Sequence, residues 1–446
     1  MNLFELGALL VGLSALFGYI NYRYLSVPQP IGMVLIALVA SLALLIVETV
    51  IPAANVDALI VDVLGEIDFH DTLMHGMLSF LLFAGALHVD VAALRNRFRT
   101  IGLMATAGTF VSTLFIGSGT WLLADWFGQP IPFVWALVFG ALISPTDPVA
   151  VLALFNTVPV PPSLKVTLAG ESLFNDGVGV VVFTILLGVA LHGGSPSVSH
   201  VLELFAAEIL GGVVLGLAAG YVCYRLLHGL FELNLQVLIT LAAVTVCYAA
   251  AIRLDASGPI AMVVAGLFIG NAGMKYALTE GSREYLQQFW SLLDEILNSI
   301  LFLLIGLEVL IIARSGFEFW MALVVIPIAL AGRWLSVFLS VLAMRRWEAY
   351  TAGTVPILTW GGLRGGIAVA LALSLPLNDV RPAVLSITYA VVLFSIIVQG
   401  LSVTRLVRSF VPAQSVRSEQ APVVQAPGIQ ESDERGARGG SSATGK

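Results

Sequence analysis

Charge is what this chain has least of. Only 11% of its 446 residues are Asp, Glu, Lys or Arg, against 58% hydrophobic. Soluble domains carry roughly twice that share of charge, so a water-facing globule is excluded and a polytopic, all-α membrane protein is implied. Cysteine is nearly absent as well: Cys223 and Cys247 are the two that occur. Both lie inside apolar segments and read as packing residues, not as a disulfide or a metal site. The six histidines form no dense cluster of the kind that holds a transition metal, and no nucleotide-binding loop points to ATP. No cofactor and no nucleic-acid partner are expected. No cleavable leader is expected either. The first apolar run lacks a basic flank before it and a small-residue cleavage site after it, so it is expected to stay as a helix.

Long apolar runs are what the chain has instead. Runs of about 20 residues, enough to cross a bilayer, fall near 3–22, 29–48, 70–89, 100–124, 132–156, 163–190, 199–228, 233–252, 257–272, 286–313, 317–344, 350–375 and 381–407. These make about thirteen spans over residues 1–410. The loops joining odd spans to the next even one carry Arg23, Arg95, Arg97, Arg99, Lys165, Arg225, Lys275, Arg283, Arg345 and Arg346. The opposite loops carry Arg253, Arg314 and Arg381, and one of them, Glu48 to Asp71, is acidic. Basic loops stay in the cytoplasm, so the N-terminus is expected outside and the C-terminus inside. Residues 411–446, rich in Ser, Gly, Gln, Ala and charge, cannot bury a core and are expected to form a disordered cytoplasmic tail.

Two spans are interrupted. The fifth reads Ser144-Pro145-Thr146-Asp147-Pro148 at its middle. Proline lacks an N–H and clashes with the carbonyl four residues back, so Ala141 and Ser144 lose their helical partners. The twelfth reads Gly361-Gly362-Leu363-Arg364-Gly365-Gly366, and each glycine in a helix interior costs about 1 kcal/mol relative to alanine. Irregular backbone at membrane depth survives only inside protein or beside a cavity. The two breaks stand seven spans apart, which suits an inverted repeat of spans 4–6 and 11–13. Two matching broken spans are a pointer to a transport site.

The membrane-level charges gather around these breaks. In span 6, Glu171 stacks under Asn175 and Ser172 under Asp176, so the four share one stripe facing the bundle interior. Buried acids need a cation or a proton to neutralise them. Arg333, mid-span 11, is expected to fork onto Glu171 and Asn175 as a fixed brace; snorkelling to a headgroup is its bland alternative. That leaves Asp176 and Asp147 without a standing partner, able to hold a proton or a small cation in turn. Thr146 offers a carbonyl or hydroxyl oxygen to the same ion. Ser172 offers a second hydroxyl, unless it only bonds back along its own helix. Arg364 marks the second break. Asp294, Glu295, Asn298 and Glu308 of span 10 either line an ion funnel or are simply solvated. His88 and Asp90, ending span 3, read as capping residues rather than pH sensors.

Thr146-Asp147-Pro148, Glu171 through Asn175-Asp176, Arg333 and the 361–366 glycine run together resemble the NhaP-type sodium/proton antiporters of cation:proton antiporter family 1, to which the eukaryotic sodium/hydrogen exchangers belong. The resemblance covers about residues 1–410. It implies an NhaA/NhaP-like fold in a homodimer at the cell (inner) membrane. The interface domain would comprise spans 1–3 and 8–10, and an elevator-like core spans 4–6 and 11–13. It implies exchange of Na⁺ (or Li⁺) for H⁺, one for one given the Asn-Asp pair. Asp176 would carry the ion, Asp147, Thr146 and Ser172 would help coordinate it, and Glu171, Asn175 and Arg333 would brace the site. One departure stands out: many relatives carry an acid in span 3 where this chain has Ala84, so Asp90 or water would have to replace it. A K⁺/H⁺ exchanger or a cation channel would use the same oxygens. An intramembrane aspartyl protease with an Asp147–Asp176 dyad would show a glycine-X-glycine-aspartate run, which the flanks Thr146-Asp147-Pro148 and Asn175-Asp176-Gly177 do not match.

Overall fold

In the computed structural model the described residues are 3–50, 76–128, 130–155, 158, 160–193, 198–312, 319–351 and 353–410. The expected tail (411–446), most of the acidic 48–71 loop and Arg314 lie outside them. The described chain is built from helices in the order α1 (Leu3–Ile20), α2 (Gln29–Val50), α3 (Leu78–Leu87), α4 (Val91–Arg95), α5 (Phe98–Leu103) and α6 (Thr109–Trp126). Then come α7 (Phe133–Ile143), α8 (Val149–Phe155), α9 (Pro162–His192), α10 (Val198–Leu227), α11 (Leu233–Arg253), α12 (Gly258–Phe268) and α13 (Met274–Ala277). The last are α14 (Glu280–Ile312), α15 (Phe319–Met344), α16 (Thr354–Gly361), α17 (Gly366–Leu373), α18 (Arg381–Phe394) and α19 (Gly400–Phe410). Short π-helical turns join α5 to α6, α12 to α13 and α18 to α19.

Ten of the described helices, some running through these π turns, are long and apolar enough to cross a membrane. The remaining three expected spans are α3 and the pairs α7–α8 and α16–α17, the two spans read as broken. Helix ends follow local chemistry. α9 opens with Pro162 in its first turn, where a missing N–H is harmless, and closes on Gly193 at φ 64°, a left-handed position that suits glycine. α14 starts at Glu280, six residues before the apolar run, and its first turns carry polar side chains.

Small residues let the helices touch. A Cβ on Gly140 of α7 would sit 2.3 Å from the Thr113 carbonyl of α6, and one on Gly306 of α14 would sit 2.4 Å from Ala37 of α2. Lipid offers no hydrophobic drive between helices, so such close backbone packing carries the association. Two neighbourhoods emerge. Helices α1, α2, α3, α11, α12 and α14 pack on one another; α6, α7, α9 and α15–α18 do the same. α10 leans on α11 and α12 and touches α9.

Candidate ion site at the crossing of two broken helices

The breaks in α7–α8 and α16–α17 meet. The Asp147 N–H donates to the Leu363 carbonyl at 2.8 Å, an isolated antiparallel bridge. Each break thus satisfies part of the backbone that the other leaves open, as burial at this depth demands. The fit is close. A Cβ on Gly365 would lie 2.1 Å from Asp147 Oδ2, and one on Gly179 of α9 would lie 2.2 Å from the Pro145 ring. Glycine stands at both positions because nothing larger fits.

Charges follow the half-helix dipoles. Asp147 Oδ1 accepts from the Val149 N–H at 2.9 Å, at the start of α8. At the other break, Arg333 Nη2 donates to the Leu358 carbonyl at 3.0 Å and Arg364 Nη1 to the Gly362 carbonyl at 2.9 Å, both at the end of α16. Those carbonyls have no following helical turn to bond. The Arg364 N–H is met by Ser395 Oγ at 2.8 Å, a partner with no signal in the sequence.

The brace forms, with one partner changed. Arg333 donates from Nη1 to Glu171 Oε1 and from Nη2 to Oε2 at 2.7 Å, a two-pronged pair between residues 3% and 0% exposed. Asn175 is not part of it. Its Nδ2 donates to Thr146 Oγ1 at 2.9 Å and its Oδ1 accepts the Thr146 N–H at 3.3 Å. One carboxylate and the Leu358 carbonyl take the terminal nitrogens of the fork, Arg333 Nε has no partner among the described residues, and Thr146 takes both ends of the Asn175 amide. Ser172 does not bond back along its helix; its hydroxyl donates to the Thr146 carbonyl. Thr146 is therefore held at its N–H, carbonyl and hydroxyl by α9, which pins the α7–α8 break to that helix.

Asp176 is left over. It is 8% exposed and has no hydrogen-bond or ion-pair partner among the described residues. It faces a cavity of about 540 Å³ that Asp147 and Ser172 also line. Exposed His88 and Ser291 stand at its mouth, and Asp294 and Asn298 line it as well. Carboxylates, a hydroxyl and an amide offer the oxygen ligands that hard monovalent cations take.

The remaining polar residues sort themselves by helix rotation. Of the span 10 group, Asp294 and Asn298 line the cavity, Glu295 is exposed, and Glu308 is buried beyond it. Asp90 caps α4, accepting the Ala92 N–H at 2.8 Å. His88 bonds the Ala84 carbonyl at 2.7 Å and Ser291 Oγ at 2.9 Å. Asp90 thus does not replace the acid expected near Ala84. Ala84 is buried in the α3 packing, and the carboxylate facing the cavity from this side is Asp294.

Crossed broken helices, a bidentate buried brace and an unpaired acid below an open cavity define an ion-coupled membrane carrier. The chain belongs to the transmembrane sodium/hydrogen exchanger family, whose sequence model matches residues 12–409. It is 45% identical to the Na⁺/H⁺ antiporter NhaP of Pseudomonas aeruginosa over 93% of this chain and 99% of the relative. It is 34% identical to the Na⁺/H⁺ antiporter NhaH of Halobacillus dabanensis over 76% and 83%. The structure of the sodium proton antiporter MjNhaP1 from Methanocaldococcus jannaschii at pH 8 superposes with a TM-score of 0.72 over 91% of this chain and 97% of that one, at 20% identity. That likeness bears out the NhaP-like fold.

Proposed function

We propose that this chain is a secondary antiporter exchanging Na⁺ (or Li⁺) for H⁺, one for one, at Asp176. The observation that carries the reading is the buried carboxylate without a counter-ion, beside a second acid whose charge is already matched by Arg333. An acid in that state is neutral only when it holds a proton or a cation, and it cannot hold both. Alternation between the two is the exchange. Asp147 and the Ser172 hydroxyl complete the cation's oxygen set, with Thr146 shaping the break. Glu171, Arg333 and Asn175 hold α9, α15, α16 and the α7–α8 break in register. Pro145, Pro148, Gly361, Gly362 and Arg364 keep both spans open at the crossing.

The two packing neighbourhoods support a core of spans 4–6 and 11–13 moving against spans 1–3 and 8–10, and the latter are the natural seat of a homodimer contact. The basic loops support an inner-membrane orientation with the N-terminus outside and the tail (411–446) cytoplasmic. Ion gradients supply the drive, so no cofactor and no enzymatic step enter the scheme. The test is proton flux in proteoliposomes on adding each alkali cation in turn. Wild type should answer Na⁺, and Asp176→Asn should abolish the response. Undiminished flux in that variant would refute the reading. Cation flux that persists at channel speed without a proton gradient would replace it with a channel.

A further inference from the structure

One face of α14 continues past the cavity. Asp294, Asn298, Leu301, Ile305 and Glu308 recur at spacings of four and three, so they stack in a single stripe. The first three line the cavity. Leu301 and Ile305, 4% and 0% exposed, then close it. A Cβ on Gly366 would overlap Leu301 at 2.5 Å, so this apolar plug is wedged against the second break. Beyond the plug, about two helical turns from Leu301, the stripe turns polar again at Glu308.

Glu308 is 7% exposed and has no hydrogen bond or salt bridge among the described residues. Helix α18, which packs against α14, carries two donors in the same condition. The Tyr389 hydroxyl, on a residue 2% exposed, and Arg381 Nε are buried without a partner among the described residues. Arg381 Nη2 is turned to the Leu373 carbonyl at 3.0 Å. Packing alone has no use for such a group, because an unpaired acid at membrane depth is costly. α14 lies in one packing neighbourhood and α18, which carries Tyr389 and Arg381, in the other.

We propose that Glu308 is a second cation-binding carboxylate on the transport route, at the end opposite the cavity mouth, reached when the Leu301–Ile305 plug parts. Tyr389 supplies a further oxygen there. The Arg381 guanidinium keeps the station weak, as a site the ion must leave again has to be. The cation class is that of the exchange reading above, on which this inference rests.

Vesicles of both orientations test it, with Na⁺ offered first on the face bearing Arg381 and then on the face bearing His88. Glu308→Gln should raise KM for Na⁺ about tenfold on the Arg381 face, the worth of one charged ligand, and leave it unchanged on the His88 face. Glu308→Asp should recover part of the loss. Equal shifts on both faces, or none on either, would overturn the proposal. Tyr389→Phe reads the same asymmetry if Glu308→Gln fails to accumulate. A wild type that answers Na⁺ on neither face would sink the exchange reading itself.

Discussion

Arg333 offers the sharpest test of how this core is held. Replacing it with methionine removes both bonds to Glu171 and the donor to the Leu358 carbonyl. Glu171 is fully buried, so its charge is left without compensation. Breaking a buried pair from one side costs about 3–5 kcal/mol, and the orphaned carbonyl adds about 1 kcal/mol. A loss of roughly 4–6 kcal/mol is expected, large beside the whole stability of a typical fold. Glu171→Leu should cost about 3–5 kcal/mol by the same reasoning. The double variant should regain most of either loss, because no unpaired charge then remains inside. Reversible unfolding in mixed micelles, followed by tryptophan fluorescence, measures the cycle. A double variant as unstable as the sum of the singles, or an Arg333→Met loss below about 1 kcal/mol, would refute the brace.

Three further outcomes follow from the same geometry. Gly365→Ala should cost about 1–3 kcal/mol through overpacking, since its Cβ would meet Asp147 Oδ2 at 2.1 Å; thermal unfolding in detergent checks this, and exchange should fall with it. Asp294→Asn should weaken cation recruitment from the His88 face several-fold at low ionic strength and much less at high salt, read as KM for Na⁺ at two salt concentrations. Asn175→Ala should free Thr146 and lower stability by about 1–3 kcal/mol while leaving the Arg333–Glu171 pair intact; a loss matching that of Arg333→Met would contradict the separate roles assigned to them.

Much of this molecule was legible along the chain. Thirteen apolar runs, prolines flanking Thr146-Asp147 and glycines around Arg364 are local features, and local physics decides where a span begins, crosses or breaks. So few charges lie at membrane depth that Arg333 and Glu171 were natural partners. The 3.6-residue repeat placed Glu171, Ser172, Asn175 and Asp176 on one stripe without further help.

Tertiary structure decided what depends on how each helix is rotated and which neighbour it meets. Asn175 turned to Thr146, whose N–H and hydroxyl take both ends of its amide, and not to Arg333, whose Nε has no partner among the described residues. Asp147 found the Leu363 carbonyl, more than two hundred residues away. Asp294 faces the cavity while Glu295 faces out and Asp90 caps a short helix, a difference that composition and hydropathy cannot carry. A helix's pattern fixes its own stripe, but the direction in which that stripe points is set only when the other helices pack around it.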